Sequence, residues 1–182
     1  MSTYSPFSAK QLLPQEEKLE IAKHKSELFI GIPKETSYQE RRICLTPDAV
    51  SSLVNHGHRV MVECGAGKNA SFSDKDYSDA GAEVTHDTKK IFSCPIILKV
   101  EPPTLEEIDM MNMEAILISA IQLKTQKKEY FEAITKKKIT SLAFEFIKDS
   151  DGSYPAVKSL SEIAGTASVL IAAELMINNN DG

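Results

Sequence analysis

The sequence predicts an α/β protein built on a parallel sheet, and three features carry that expectation. Short apolar runs recur along the chain and alternate with segments of helical period. Several runs are apolar on successive residues, as in Pro95–Val100 (PIILKV) and Ala115–Ser119 (AILIS), which marks strands covered on both faces. A helix-length segment follows each of the early runs, so successive strands run parallel through right-handed crossovers, with helices on both faces of the sheet.

Taken in order, residues 1–26 have a composition of their own. A polar start gives way to PQEEKLEIAKHKS, a helix pattern with Pro14 in its first turn, and the segment reads as an N-terminal extension. The regular alternation begins with a strand at Leu28–Pro33. Pro47 and Asp48 suit the first turn of a helix over Pro47–His56, and Arg59–Glu63 is the next strand. Ser73, followed by Asp74 and Asp76, suits the cap and first turn of a helix over Ser73–Ala80. Then come a helix at Thr88–Ser93, a strand at Pro95–Val100, a helix at Leu105–Met110 and a strand at Ala115–Ser119. A helix at Gln126–Lys137 leads to a last strand at Ile139–Phe144. DSDGSYPA (149–156) is a turn-rich break, and SLSEIAGTASVLIAAELM beyond it reads as one long helix rich in small residues. The expected organisation is therefore an extension over 1–26, an α/β domain over 27–158, and a connector helix and tail over 159–182.

Composition narrows the classes of function. A chain of 182 residues that is 42% hydrophobic supports one core plus an appendage. A net charge of −5 carries no footprint for nucleic acid. Lys136, Lys137 and Lys138 cluster at the end of a helical pattern, where cations answer the helix dipole. Cys44, Cys64 and Cys94 have no CxxC spacing, which speaks against a zinc site or a disulfide framework and for a reducing compartment. No apolar run is read as reaching the roughly 18 residues of a membrane span, and no signal-peptide core is seen near the N-terminus. The expectation is a soluble, cytoplasmic protein with no bound metal.

The candidate chemistry lies beyond the strand ends, where open parallel sheets bind ligands. FIGIPKETSYQERRICLTP (29–47) places Arg41 and Arg42 just after the first strand, and an arginine fork matches a carboxylate. Lys99 ends a buried strand, where its ammonium needs an acidic partner, a route to water or a ligand. Gln122 and Lys124 follow the next strand; Gln122 can donate and accept hydrogen bonds but cannot serve as a base near neutral pH. ECGAGKNASFSD (63–74) lacks the third glycine of G-x-G-x-x-G and reads as a tight strand-to-helix turn.

Four blocks, IGIPKET…ERRICLTPDAV, GHRVMVECGAG…FSDKDYSDAGAEV, IILKVEPP and DGSYPAVKSLSEIAGTASVLIAAEL, resemble the N-terminal domain shared by alanine dehydrogenases and the NAD-binding subunits of proton-translocating nicotinamide nucleotide transhydrogenases. The resemblance implies a Rossmann-like (flavodoxin-like) substrate-side domain. It further implies a chain cut before the NAD-binding domain, inactive alone, and a homo-oligomer acting on a small amino or oxo acid. Arg42 matches the family's substrate-carboxylate arginine, and Lys99 the first lysine of its K-V-K-E-P segment. Glu101 stands in the column of the second lysine, the substrate lysine of alanine dehydrogenases. Gln122 stands in the column of their general-base histidine. Activity as an alanine-dehydrogenase-like oxidoreductase using NAD is the implied function. A transhydrogenase subunit with a membrane-bound partner and a non-catalytic assembly domain stay open beside it.

Overall fold

The computed structural model describes residues 27–178, so the extension over 1–26 lies outside the described residues. The elements run β1 (Phe29–Ile32), α1 (Pro47–Asn55), β2 (Arg59–Glu63), α2 (Asp74–Asp79), β3 (Glu83–Thr85) and α3 (Thr88–Phe92). They continue as β4 (Ile96–Leu98), α4 (Leu105–Met110), β5 (Ile116–Ser119), α5 (Lys128–Lys136), β6 (Thr140–Ala143) and α6 (Pro155–Asn178). All pairings are parallel, and the six strands lie in the order β3-β2-β1-β4-β5-β6. This is the Rossmann order of the doubly wound sheets. The chain winds outward from β1 to β3, then returns to lay β4 on the other side of β1.

β3 is the strand the apolar pattern does not reveal. It has three residues, only Val84 among them strongly apolar, and it pairs on one side only, so an edge position replaces the burial that marks the central strands. The helix starts are chemically explicit. Thr46 and Asp87 accept the first free amides of α1 and α3, while Ser73–Asp76 and Thr104–Glu107 form reciprocal capping boxes on α2 and α4. Lys137, at the end of α5, donates to the carbonyl oxygens of Asp109 and Met111 (2.7 Å to the latter), answering the end of α4 rather than its own helix.

Two cores follow from the period of two along the strands. Ile30, Ile32, Val60 and Val62 face Val50 of α1 and Tyr77 of α2. Met61, Ile97 and Leu117 face Ile91, Phe92, Ile108 and Tyr130 of α3 to α5. On the α1–α2 side the sheet stays open over β5 and β6, where Ile118 is half-buried and Leu142 is 48% exposed. The Gly65–Gly67 turn is satisfied from within. Asp74 Oδ1 accepts the Gly65 amide at 2.7 Å, and a Cβ on Gly67 would sit 2.6 Å from the Tyr77 ring.

α6 begins at Pro155, where proline fits the first helical turn, and it is exposed along nearly its whole length. An 18-residue stretch within Pro155–Ile177 has a mean hydropathy of 1.6. The expectation that no run reaches span length is therefore corrected: by length and composition α6 could cross a membrane. The run is concealed in the sequence because Ala, Gly, Ser and single glutamates interrupt the large apolar residues. A helix apolar all round needs cover from something other than this domain.

Gly31 is as tight as Gly67, since an added Cβ would lie 2.6 Å from the Ile91 carbonyl oxygen. Since the obstacle is backbone, α3 must move to admit a methyl. Gly31→Ala is expected to cost about 1–3 kcal/mol, read as a lower urea midpoint with an unchanged slope.

Candidate functional site at the carboxyl edge

β1 and β4 are neighbours whose chains leave toward opposite sides, so a crevice opens beyond their carboxyl ends. Its walls are the 33–46 loop and the segment that begins at Lys99. Lys34 N donates to Glu63 Oε2 at 2.7 Å and Val100 N donates to Glu35 Oε1 at 2.6 Å, so the β1 loop is tied on both sides.

Lys99 lies at the base of the crevice and is 1% exposed. Its ammonium donates to Glu107 at 3.0 and 3.2 Å and stands 3.5 Å from Glu35 Oε2. Glu107 also accepts the Thr104 amide at 2.8 Å, so one carboxylate caps α4 and neutralises Lys99 together. Burial raises the Glu35 carboxyl above its ordinary range against the pull of Lys99. Cys44, on the same wall, is pushed up to about 12 by burial with Glu35 adding to the effect, so its thiol stays protonated.

Arg42 stands above this base with its side chain 46% exposed. Nε donates to Glu40 Oε1 at 2.9 Å and Nη2 to Glu40 Oε2 at 2.5 Å. The Arg42 amide also donates to Glu40 Oε1, at 2.8 Å. Gln39, at φ 64° in the left-handed region, turns the chain so that Glu40 folds back on the arginine two residues later. The guanidinium fork holds the Glu40 carboxyl down at about 2. Nη2 also reaches Glu101 Oε1 at 3.4 Å, while the Nη1 hydrogens have no partner among the described residues. Arg41 is exposed and forms no ion pair among the described residues.

Gln122 completes the group by donating from Nε2 to Glu101 Oε2 at 2.8 Å. Its backbone is left-handed, at φ 52°, and is held there by Glu145 Oε1, which accepts the amides of Ile121 and Gln122 at 2.8 and 2.9 Å. Arg42, Leu45, Leu98, Ile118, Phe144 and Leu160 are among the lining of a mainly apolar cleft of about 280 Å³. A second hollow of about 350 Å³ adjoins it, with Arg42, Glu101 and Gln122 on one wall and Val157, Leu160 and Ala164 of α6 on another. A cation beside an apolar pocket suits a small carboxylic acid with a short side chain. No group of three or more His, Cys, Asp and Glu side chains among the described residues is arranged to hold a metal ion.

Of the residues singled out in the sequence, Arg42 and Gln122 meet around Glu101, while Lys99 lies below them inside its own carboxylate shell. The partners Glu35, Glu40, Glu107 and Glu145 are what sequence reading passed over. Thr104-x-x-Glu107 is a capping-box pattern that would have found one of them. Nothing local points to Glu145, which acts across 23 residues of chain on Gln122.

The model of the family described as alanine dehydrogenase/PNT, N-terminal domain, matches residues 31–164. The chain belongs to this family. An alanine dehydrogenase of Staphylococcus epidermidis is 36% identical over 153 residues, which is 84% of this chain and 41% of that protein. Alanine dehydrogenase 2 of Staphylococcus aureus is 34% identical over the same length. The chain thus spans about two fifths of the curated relatives it matches. A solved L-alanine dehydrogenase superposes with a TM-score of 0.80 at 34% identity, over 85% of this chain and 43% of that one. The transhydrogenase from Sinorhizobium meliloti gives 0.60 at 29%, over 65% of this chain and 35% of that one. Glu101 and Gln122 are in direct contact at 2.8 Å.

Two predictions follow the charges. Lys99→Met strands Glu35 and Glu107 in the interior and is expected to cost about 3–5 kcal/mol in denaturant unfolding. Glu40 is ionised in the fold down to about 2, whereas the unfolded carboxyl binds its proton near the ordinary 4.5. Its contribution is present in full above 4.5 and disappears as pH falls through 2. Glu40→Gln should flatten the fall of unfolding temperature between those two pH values, measured by calorimetry at a series of acid pH.

Proposed function

We propose that the full-length protein oxidises L-alanine, or a close small 2-amino acid, to the 2-oxo acid and ammonia with NAD, and that this chain supplies the substrate side. The observation that carries the reading is Arg42 at the crevice between β1 and β4, its Nη1 edge without a partner among the described residues and an apolar cleft beside it. The greater similarity to alanine dehydrogenases than to the transhydrogenase, in extent and in TM-score, supports the choice of reaction.

In this reading Arg42 takes the substrate carboxylate on its Nη1 edge. Glu40 grips the opposite edge and fixes the plane of the guanidinium, so little side-chain freedom is lost when the acid binds. The apolar cleft receives the substrate side chain. Lys99 acts through Glu35 and Glu107, positioning the two loops rather than touching the acid. Gln122 orients Glu101 and holds no proton in reserve. The described residues do not fit a dinucleotide, because the single glycine-rich turn after a strand is closed by Asp74 and Tyr77. We therefore assign NAD to a part of the enzyme beyond residues 27–178. Cytoplasmic location and homo-oligomerisation, with α6 as one contact, belong to the same reading.

The test is steady-state turnover of L-alanine with NAD by the full-length protein. Arg42→Ala should lower kcat/KM by about 10²–10³-fold, as expected for truncating a charge-assisted clamp, and Arg42→Lys should restore only part of it. Hydride exchange between nicotinamides without turnover of alanine would favour the transhydrogenase subunit instead.

A further inference from the structure

We propose that Glu101 recognises the substrate's ammonium group, so that the site selects zwitterionic 2-amino acids over the corresponding 2-oxo acids. The proposal rests on the acid-binding reading of Arg42 and adds a partner for the other end of the substrate.

The upper wall of the crevice carries one guanidinium and two carboxylates. Glu40 is consumed by Arg42, with both oxygens engaged and 8% of its side chain exposed. Glu101 is less fully engaged. It is 22% exposed, its contact to Arg42 is long at 3.4 Å, the Glu40 carboxyl lies within its reach, and the neutral amide of Gln122 donates to it at 2.8 Å. A carboxylate offers about four lone-pair sites, so room remains on both oxygens. The pair Glu101–Gln122 thus presents a carboxylate beside a cation whose Nη1 edge has no partner among the described residues.

That spacing matches one class of ligand. A 2-amino acid carries its carboxylate and its ammonium on a single carbon, so their recognition groups must stand side by side, as Arg42 and Glu101 do. The zwitterion adds no net charge to the wall. A 2-oxo acid brings a third carboxylate against one guanidinium and leaves Glu101 unanswered, and like charges at such range are unfavourable. Gln122 suits the arrangement because it steers Glu101 without competing for the ammonium through a charge of its own. A basic side chain in its place would neutralise the carboxylate.

The experiment is equilibrium binding of L-alanine and of pyruvate to the full-length protein and to its Glu101→Gln, Glu101→Lys and Arg42→Ala variants. Wild type should bind L-alanine about 10–100-fold more tightly than pyruvate, the range of one charge-assisted hydrogen bond. Glu101→Gln should erase that preference by weakening alanine and easing pyruvate, and Glu101→Lys should reverse it by tightening pyruvate further. The charge-reversed variant decides the matter should the amide variant fail to fold. Pyruvate binding that requires Arg42, with an alanine-to-pyruvate ratio unmoved by either Glu101 variant, would overturn the proposal while leaving the acid clamp intact. Binding of both probes that ignores Arg42→Ala would overturn the clamp, and this proposal with it.

Discussion

An ammonium at the end of a buried strand has to be answered where it stands, and the answer given to Lys99 organises the functional edge. Glu107 comes from the first turn of α4 and Glu35 from the loop after β1. Both carboxylates also hold backbone amides, at Thr104 and Val100. One buried cation therefore locks three segments that are distant in sequence, and a ligand crevice between β1 and β4 can have fixed walls. Such a cluster is poor evidence for added stability, since its desolvation cost is large. Its value lies in specifying one arrangement of the loops.

Above that base the logic changes from burial to presentation. Arg42 is gripped from one edge by Glu40, which turns a flexible side chain into a rigid donor. Glu101 and Gln122 supply a second feature, a carboxylate and the amide that orients it. Charge at this wall is then rebalanced toward a ligand that carries its own cation.

The strong periodic features were legible in the chain. PIILKV and AILIS read as covered strands because both faces of a parallel sheet are buried. Ser73 and Pro47 read as helix starts because capping is a local reaction of a side chain with amides two or three residues away. β3 escaped because an edge strand with one strongly apolar residue has no pattern to read. The apolar length of α6 escaped because small residues and isolated glutamates broke the run. Within the candidate site, Arg41 and Arg42 were legible as an arginine pair just beyond the first strand, and the resemblance pointed to Arg42.

By itself the sequence determined the class of fold, the family, and which side chains carry the candidate chemistry, since each depends on local pattern or on blocks in order. It left open what those side chains hold. Lys99 had equal reason to face a ligand or a carboxylate, and only the packing of α4 against the β1 loop put two glutamates on it. Glu145 bonding the amide of Gln122, and Glu101 meeting Arg42 across 59 residues, were likewise decided by tertiary structure. Charges separated in sequence acquire an interaction only when strand order brings their loops together, and the return of β4 to the side of β1 is what does so here.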